Sequence, residues 1–331
     1  MHTPDHRLKT FITLFAGLTL GGPAFGFPKE EQIHPRGPLA NLNQEETTPS
    51  LTSDSSSYKK KQKLDLEIDL YAEEDSLELP SPSRVLDFVF DLDETLVFPI
   101  GSPLPLDEFR AIFPIHKFNQ LIFDPERRTD SIHLQIGQRV LTHTLAPGAL
   151  EVLATLSQLK GARLNFFSAG LHLRNLRLLQ VLIPEVEKLS HKSIAYEVLS
   201  SEDVGPQGEK DLLKFLRFKA RSDLSLHSSV LIDDNWAAIH PGQFNNFLRI
   251  HSAFSLTSTP QQIQRNLIRI LGIIIEAIEE ADQSPNSLTL IEAIQRVQTL
   301  TEDHPTVEAL EEKHFRIGLE AIQEINPNFS S

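Results

Sequence analysis

The segment that most constrains the fold is VLDFVFDLDETLVF, residues 85–98, in which a short apolar run leads directly into a group of carboxylates. The run VLDFVF predicts a strand, and a mostly apolar run of this length is typical of a strand inside a parallel sheet. Side chains alternate along a strand, so Asp91 and Asp93 are expected on one side beyond the sheet edge, with Glu94 pointing away. Because neighbouring carboxylates repel each other, a divalent cation, a basic side chain or both should lie beside them.

Between residues 84 and 256, strand-like runs alternate with helix-like segments, the pattern of an α/β fold whose parallel sheet is covered by helices on both faces. The predicted strands lie at 85–90, 162–168 and 229–233. Helices are predicted near 106–119 and over APGALEVLATLSQLKG, where Pro and Gly mark the two ends. Short hairpin strands are predicted around Asp124–Asp130 and Gly137.

The rest of the chain divides into three parts by composition. Residues 1–26 combine a basic start, an apolar stretch and small residues at the end, which predicts a cleaved export signal and a periplasmic or secreted protein. An uncleaved anchor or the frayed first helix of a cytosolic protein is the alternative. Residues 27–83 are rich in Pro, Ser, Thr and charge and predict a disordered linker. Residues 257–331 contain three amphipathic segments and predict a C-terminal helical appendage.

Charge and cysteine content exclude several classes of function. The chain has no cysteine, so disulfides, thiolate metal sites and thiol nucleophiles are excluded. Its formal net charge of -14 argues against broad binding to nucleic acid or to anionic lipid, since phosphate backbones require a basic face. The apolar stretch near the N-terminus is shorter than the roughly 20 residues of a bilayer span, so no stable membrane insertion is expected. Small molecules or proteins are therefore the expected partners.

Polar residues also follow the other two predicted strands. Ser168 ends NFFS and precedes a Gly turn, a position suited to holding a phosphate oxygen beside backbone N–H groups. Asp233 and Asp234 close the strand in LIDDN, and carboxylate oxygens are hard ligands that Mg2+ accepts. Ligands of open parallel sheets bind at the carboxyl ends of the strands, so these groups are expected in one crevice with Asp91.

The basic residue expected beside these carboxylates is Lys210, which lies near a helix start in GPQGEKDLLKFL. A solvated helix lysine is common, however, and three other lysines are alternatives: Lys192, Lys214 and Lys219. For Asp234, capping the start of a loop fits the sequence as well as metal contact does. A calcium loop at Asp91 is disfavoured, because the later Gly and distal Glu of such a loop are missing.

Taken in order, these residues resemble the four motifs of HAD superfamily phosphatases, which are DxDxT, a Ser or Thr, a Lys and a late acidic motif. In this sequence DxDxT is at 91–95, the Ser is Ser168, the Lys is Lys210, and the acidic motif is at 233–234. Within this superfamily, the sequence is most similar to the FCP/SCP-like (NIF-type) branch, which is named for phosphatases of the RNA polymerase C-terminal domain. The similarity lies in the segments FDLDETLV, APGALEVLATL, FFSAG and VLIDDN. The resemblance covers 84–251, about half of the chain.

The resemblance implies a Rossmann-like sheet and Mg2+-dependent hydrolysis of a phosphomonoester through a phospho-aspartate on Asp91. Asp93 would protonate the leaving oxygen and then activate water, while Ser168 and Lys210 would neutralise the transferring phosphoryl oxygens. Four residues would form the Mg2+ site: the Asp91 carboxylate, the Asp93 main-chain carbonyl, Asp233, and Asp234 either close by or through water.

The sequence departs from the family pattern at three places. The family's RPG is replaced here by Ala146-Pro147-Gly148, and its TAS is replaced by Ser168-Ala169-Gly170. The Asn-Ser-Pro or Asp-Ser-Pro that usually follows the last strand is replaced by Asp234-Asn235-Trp236. None of these changes removes a catalytic group, but together with the export signal they argue against the polymerase-tail substrate.

Modest segments follow Asp93 and Ser168, so no large cap domain is expected, and an open site would admit a phosphorylated protein or a bulky phosphoester. Two alternatives stay open. One is an exported acid phosphatase or phosphotransferase acting on nucleotides or sugar phosphates. The other is a catalytically weak effector that presents its C-terminal helices to a protein partner.

Overall fold

The computed structural model describes residues 85–112, 117–124, 129–215, 225–250, 259–284, 288–301 and 303–330. The predicted export signal at 1–26 and the predicted linker at 27–83 lie outside these residues. The domain boundaries placed at 84–256 and 257–331 stay predictions.

Strands and helices alternate through the described part of the chain. The strands are β1 (Leu86–Phe90), β2 (Val97–Pro105), β3 (Leu121–Asp124), β4 (Thr129–Ile136), β5 (Arg139–Leu145), β6 (Ala162–Phe167), β7 (Tyr196–Leu199), β8 (Ser229–Asp233) and β9 (Phe247–Arg249). The longer helices are α1 (Leu106–Ile112), α2 (Ala149–Gln158), α3 (His172–Ser190), α4 (Pro260–Gln283), α5 (Leu290–Val297) and α6 (Val307–Ile325). The sequence patterns predict β1, β6 and β8 to within one residue at each end and do not predict β2, β7 or β9.

Five of the strands form a parallel sheet in the order β7-β6-β1-β8-β9. The central strand β1 is buried at all five residues, as expected for a strand covered on both faces. From β1 the chain moves outward through β6 and β7, and then returns to the opposite side as β8 and β9. The strand order therefore reverses at β1, which places the topological switch point at its carboxyl end. The predicted α/β fold with a parallel sheet is confirmed.

The two faces of the sheet have separate apolar cores. Phe88 and Phe90 of β1 belong to a large cluster that includes residues of α2, α3, α4, α5 and α6. Val89 points to the other face and joins a smaller cluster with Leu212 and Phe215, where residues 213–215 are helical. Since β1 is packed from both sides, its carboxyl end is held in a fixed position.

The C-terminal helices pack against one another and on the core of the sheet. Thr259 caps α4 and Thr289 caps α5, each through a reciprocal pair of hydrogen bonds with the third residue of its helix. Leu271 and Ile274 of α4 belong to the same cluster as Phe88, so the predicted C-terminal helices share their core with the α/β unit. In the part of the chain that the structure describes, none of the helices has the length and apolar content that a bilayer span requires.

A second sheet is inserted between β1 and α2. It is antiparallel, in the order β2-β5-β4-β3, and contains the hairpins predicted around Asp124–Asp130 and Gly137. The helix predicted near 106–119 is shorter, because α1 ends at Ile112 and residues 117–119 are not helical. The sequence has Pro114 just beyond, and proline interrupts a helix. Within the described residues the insertion consists of this sheet and α1.

Candidate active site

The candidate site lies at the carboxyl edge of the parallel sheet. Asp91 follows β1 directly, Ser168 follows β6, and Asp233 is the last residue of β8. Strands β6 and β8 flank β1, so the three polar residues leave adjacent strand ends. The N–H of Asp91 also donates to the carbonyl of Ile232 at 2.9 Å, which ties the ends of β1 and β8 together.

A lysine lies between two of these carboxylates. Nζ of Lys210 lies 2.7 Å from Oδ1 of Asp91 and donates to Oδ2 of Asp233 at 2.6 Å. All three side chains are buried, with 3% of Lys210, 6% of Asp91 and 1% of Asp233 exposed. The backbone of Lys210 is itself fixed by a parallel bridge to Ile239. The ammonium group is therefore held at the end of the central strand.

The other lysines considered from the sequence lie elsewhere. Lys214 donates to the carbonyl of Asp203, and Lys192 donates to the carbonyl of Ser157 at 2.6 Å. Lys219 lies outside the described residues. Among the lysines that the structure describes in this set, Lys210 alone contacts Asp91 and Asp233.

The pKa values of the carboxyl groups at this edge are raised, first by burial and then by neighbouring negative charge. Burial raises the pKa of Asp91 to about 7, with Lys210 opposing the rise and Asp233 and Asp93 adding to it. Burial lowers the pKa of Lys210, but the attraction of Asp91 and Asp233 outweighs it, so this pKa lies above its ordinary value. The lysine stays charged, yet it does not balance all of the carboxylates around it.

Asp234 and Glu94 add to this negative charge. Burial, followed by the charges of Asp233 and Glu94, raises the pKa of Asp234 to about 6. Glu94 adopts a left-handed backbone with φ of 62°, so the strand alternation that predicted it to point away does not extend to it. The charge of Glu94 instead acts on the site by raising the pKa of Asp234.

Three of these carboxylates could hold a metal ion. One oxygen from each of Asp91, Asp233 and Asp234 can be chosen so that all lie within 4.8 Å of one another. Hard oxygen ligands suit Mg2+, and a divalent cation would stabilise the ionised forms of Asp91 and Asp234, whose pKa values are raised first by burial and then by neighbouring carboxylates. The residues present therefore fit a Mg2+ site. The side chain of Asp93 is not in this group, and the predicted role of its main-chain carbonyl stays a prediction.

The carboxylate of Asp93 is engaged on the opposite side. Oγ of Ser168 donates to Oδ2 of Asp93 at 3.1 Å and accepts a hydrogen bond from the N–H of Gly170 at 3.0 Å. Nη2 of Arg174 forms an ion pair with the same oxygen of Asp93. The side chain of Asp93 is still 32% exposed, and its charge contributes to the raised pKa of Asp91. The two aspartates are therefore close enough for the charge of one to act on the other, while Lys210 pairs with Asp91 and Arg174 pairs with Asp93.

Two neighbours of Asp93 are not found by the sequence analysis. Arg174 lies in the first turn of α3 and is 9% exposed. A basic residue is disfavoured by the helix dipole at that end, and this is the sequence signal that could have identified it. His143 of β5 is buried next to this pair, and burial, followed by the charge of Arg174, lowers its pKa to about 4 although Asp93 opposes the shift. His143 is therefore neutral at pH 7.

Comparison with known proteins finds only distant matches, all among solved structures. No protein-family model and no curated protein sequence matches the chain. Among solved structures, Fcp1, described as an essential RNA polymerase II CTD phosphatase, aligns at 18% identity and a TM-score of 0.37, covering 74% of this chain and 65% of that one. A fission yeast Fcp1 variant bound to beryllium fluoride aligns at 17% identity and a TM-score of 0.35, covering 75% and 68%. The chain thus spans about two thirds of the length of these phosphatases, and likeness at this level assigns neither residue roles nor a substrate.

Proposed function

We propose that the chain is a Mg2+-dependent phosphomonoester hydrolase that acts through a phospho-aspartate on Asp91. The observation that carries the proposal is the cluster in which Lys210 contacts Asp91 and Asp233 while Asp234 completes a group able to bind a cation. An ion-pair network that serves only stability would balance its buried charges, because an uncompensated buried carboxylate is costly. Here the excess charge lies at the topological switch point, where open α/β sheets bind ligands.

In the first step an oxygen of Asp91 attacks phosphorus, and the bond between phosphorus and the leaving oxygen breaks. A carboxylate approaches a phosphate dianion only when positive charge offsets the repulsion between them. Lys210, 2.7 Å from Asp91, supplies part of that charge. Mg2+ held by the carboxylates of Asp91, Asp233 and Asp234 and the main-chain carbonyl of Asp93 would neutralise the phosphoryl oxygens further.

Asp93 transfers the protons of both steps. It gives a proton to the leaving oxygen in the first step and accepts one from the attacking water in the second. The bond between phosphorus and Asp91 then breaks, and inorganic phosphate is released. Ser168, which donates to Asp93 at 3.1 Å, would donate to a phosphoryl oxygen instead when substrate is bound.

The proposed substrate is a phosphorylated protein or a small-molecule phosphoester, and the proposed location is the periplasm or the exterior. Both rest on the sequence pattern, and hydrolysis of nucleotides or sugar phosphates is the alternative within the same chemistry. The helices after 257 bury apolar residues in the core that they share with the sheet. The effector alternative, in which these helices bind a protein partner, gains no support from that packing.

The test is the hydrolysis of 4-nitrophenyl phosphate with and without Mg2+. We expect turnover that requires the metal, and a loss of about 1000-fold or more in kcat for Asp91→Asn. Asp107→Asn, in the exposed face of α1, is the matched control and should keep full activity. Inactive native protein with Mg2+, or a fully active Asp91→Asn variant, would overturn the proposal.

Phosphopeptides, nucleotides and sugar phosphates, compared by kcat/KM, would then identify the substrate class. Intact-mass analysis after acid quenching should show a phosphorylated form of the native chain and none of Asp91→Asn. Adding an alcohol acceptor separates hydrolysis from phosphotransfer, because a transferase would form a new ester while a hydrolase releases inorganic phosphate.

A further inference from the structure

We propose that Arg174 is a positioning residue for Asp93, and that Gly170 is a glycine because the guanidinium of Arg174 occupies the space of its side chain. The inference rests on the proposed function, since it concerns how Asp93 is held for proton transfer. Neither Arg174 nor Gly170 has a catalytic role assigned from the sequence.

The two side-chain contacts of Asp93 are made to the same carboxylate oxygen, Oδ2. Arg174 forms its ion pair with Oδ2, and Ser168 donates to the same atom at 3.1 Å. The side chain of Asp93 nevertheless keeps 32% of its surface exposed. The carboxylate is therefore held from one side and is still accessible to a substrate, which is the arrangement that a proton-transferring group needs.

Gly170 makes this contact possible by its lack of a side chain. A Cβ built on Gly170 would lie 2.0 Å from Nη2 and 2.7 Å from Cζ of Arg174, and 2.9 Å from Oδ1 of Asn175. The φ angle of Gly170 is not in the left-handed region, so its backbone conformation is open to other residues. A larger residue at position 170 would therefore have to displace the guanidinium, which is the group that fills this space.

Stability is a weak explanation for an arginine at this position. Arg174 is 9% exposed, and its Nη1 is buried without a hydrogen-bond partner among the described residues. A guanidinium removed from water and so incompletely paired is a weak stabilising element. Its place in the first turn of α3 is also disfavoured by the helix dipole. A buried cation under these conditions is better explained by the carboxylate that it orients.

The experiment measures kcat and KM for two substrates, 4-nitrophenyl phosphate and phosphoserine. Protonation of the leaving oxygen matters little for the aryl ester and much for the alkyl ester. Arg174→Met should lower kcat for phosphoserine by about 10- to 100-fold and for the aryl ester by less, with KM nearly unchanged since the proposed role of Arg174 is to hold Asp93 and not to bind substrate. Arg174→Lys should recover part of the loss. Arg177→Met, exposed on the same helix, is the control that should change neither value.

Gly170→Ala tests the same contact without changing the arginine. Its Cβ should displace the guanidinium and reproduce the substrate-dependent loss, and combining it with Arg174→Met should add little further loss because both remove one interaction. Equal losses for both substrates, or unchanged kcat in folded Arg174→Met and Gly170→Ala, would overturn the inference while the proposed function stands. An inactive native enzyme would overturn the proposed function and this inference with it.

Discussion

Nζ of Lys210 lies 2.7 Å from Oδ1 of Asp91, and 3% and 6% of these two residues are exposed to solvent. The same ammonium group donates to Asp233 at 2.6 Å, so one lysine compensates two buried carboxylates. Replacing it with an uncharged side chain of similar length would leave both acids without that compensation. The contact thus links the stability of the fold to the electrostatics of the candidate site.

Lys210→Met is expected to lower the free energy of unfolding of the metal-free protein by about 3–5 kcal/mol, because it leaves buried charges unpaired. Part of the loss should return with Mg2+, since a cation bound by the same carboxylates replaces the missing charge. Urea unfolding in EDTA and in Mg2+ measures both effects. Lys188→Met is the control, because that side chain is 81% exposed and its ion pair with Glu185 contributes little. Equal stability of Lys210→Met and native protein in EDTA would contradict this interpretation.

The raised pKa of Asp91 predicts how stability changes with pH. This pKa is about 7 in the fold, against an ordinary value of 3.8 for an aspartate, so the folded state binds more protons between these limits. Stability therefore falls as the pH rises through this window, by an amount on the order of a few kcal/mol. Asp91→Asn removes that contribution while Lys210 keeps Asp233 as a partner.

In EDTA, Asp91→Asn should therefore be more stable than native protein at pH 8, and the two should converge near pH 4. Urea unfolding at a series of pH values measures the difference, with Asp107→Asn as a variant expected to follow the native curve. Native protein more stable than Asp91→Asn at pH 8 without metal would show that the ionised carboxylate is stabilised in the fold.

The strands that the sequence predicts well are those buried on both faces. VLDFVF and SVLID are short segments that are mostly apolar, and β1 and β8 begin and end close to the predicted residues. Strands β7 and β9 have four and three residues, too few for a period to be recognised. Strand β2 contains Pro and Gly and is largely exposed, so its existence depends on pairing with β5, which local sequence does not encode.

The same limit applies to the candidate site. The placement of Asp91, Ser168 and Asp233 follows from strand ends that meet at one edge of a parallel sheet. Lys210 reaches that edge from a loop whose position is fixed by a bridge to Ile239, and periodicity contains no information about it. The pairing of Arg174 with Asp93 depends on the space left by a glycine and on the start of α3, so it could not be derived from spacing alone.

Metal binding can be followed without measuring activity, through the single tryptophan of the chain. Trp236 lies two residues after Asp234 and is 60% exposed. We expect Mn2+, which is paramagnetic and binds the same hard oxygen ligands, to quench its emission in a saturable way, and Mg2+ to reverse the quenching by competition. Asp233→Asn should abolish the saturable phase, whereas Asp107→Asn should retain it. Quenching that persists in Asp233→Asn would place the cation elsewhere.

The crossing of α4 and α6 requires glycine at its closest point. A Cβ on Gly272 would lie 1.8 Å from the carbonyl oxygen of His314, and one on Gly318 would lie 2.0 Å from that of Ile268. Alanine favours a helix by about 1 kcal/mol over glycine, but forcing these backbones apart should outweigh this gain. We expect Gly272→Ala to lower the free energy of unfolding by about 1–3 kcal/mol in urea titrations, and Gln261→Ala, exposed on the same helix, to change it by less than about 0.5 kcal/mol. A more stable Gly272→Ala variant would mean that the helices are not in backbone contact there.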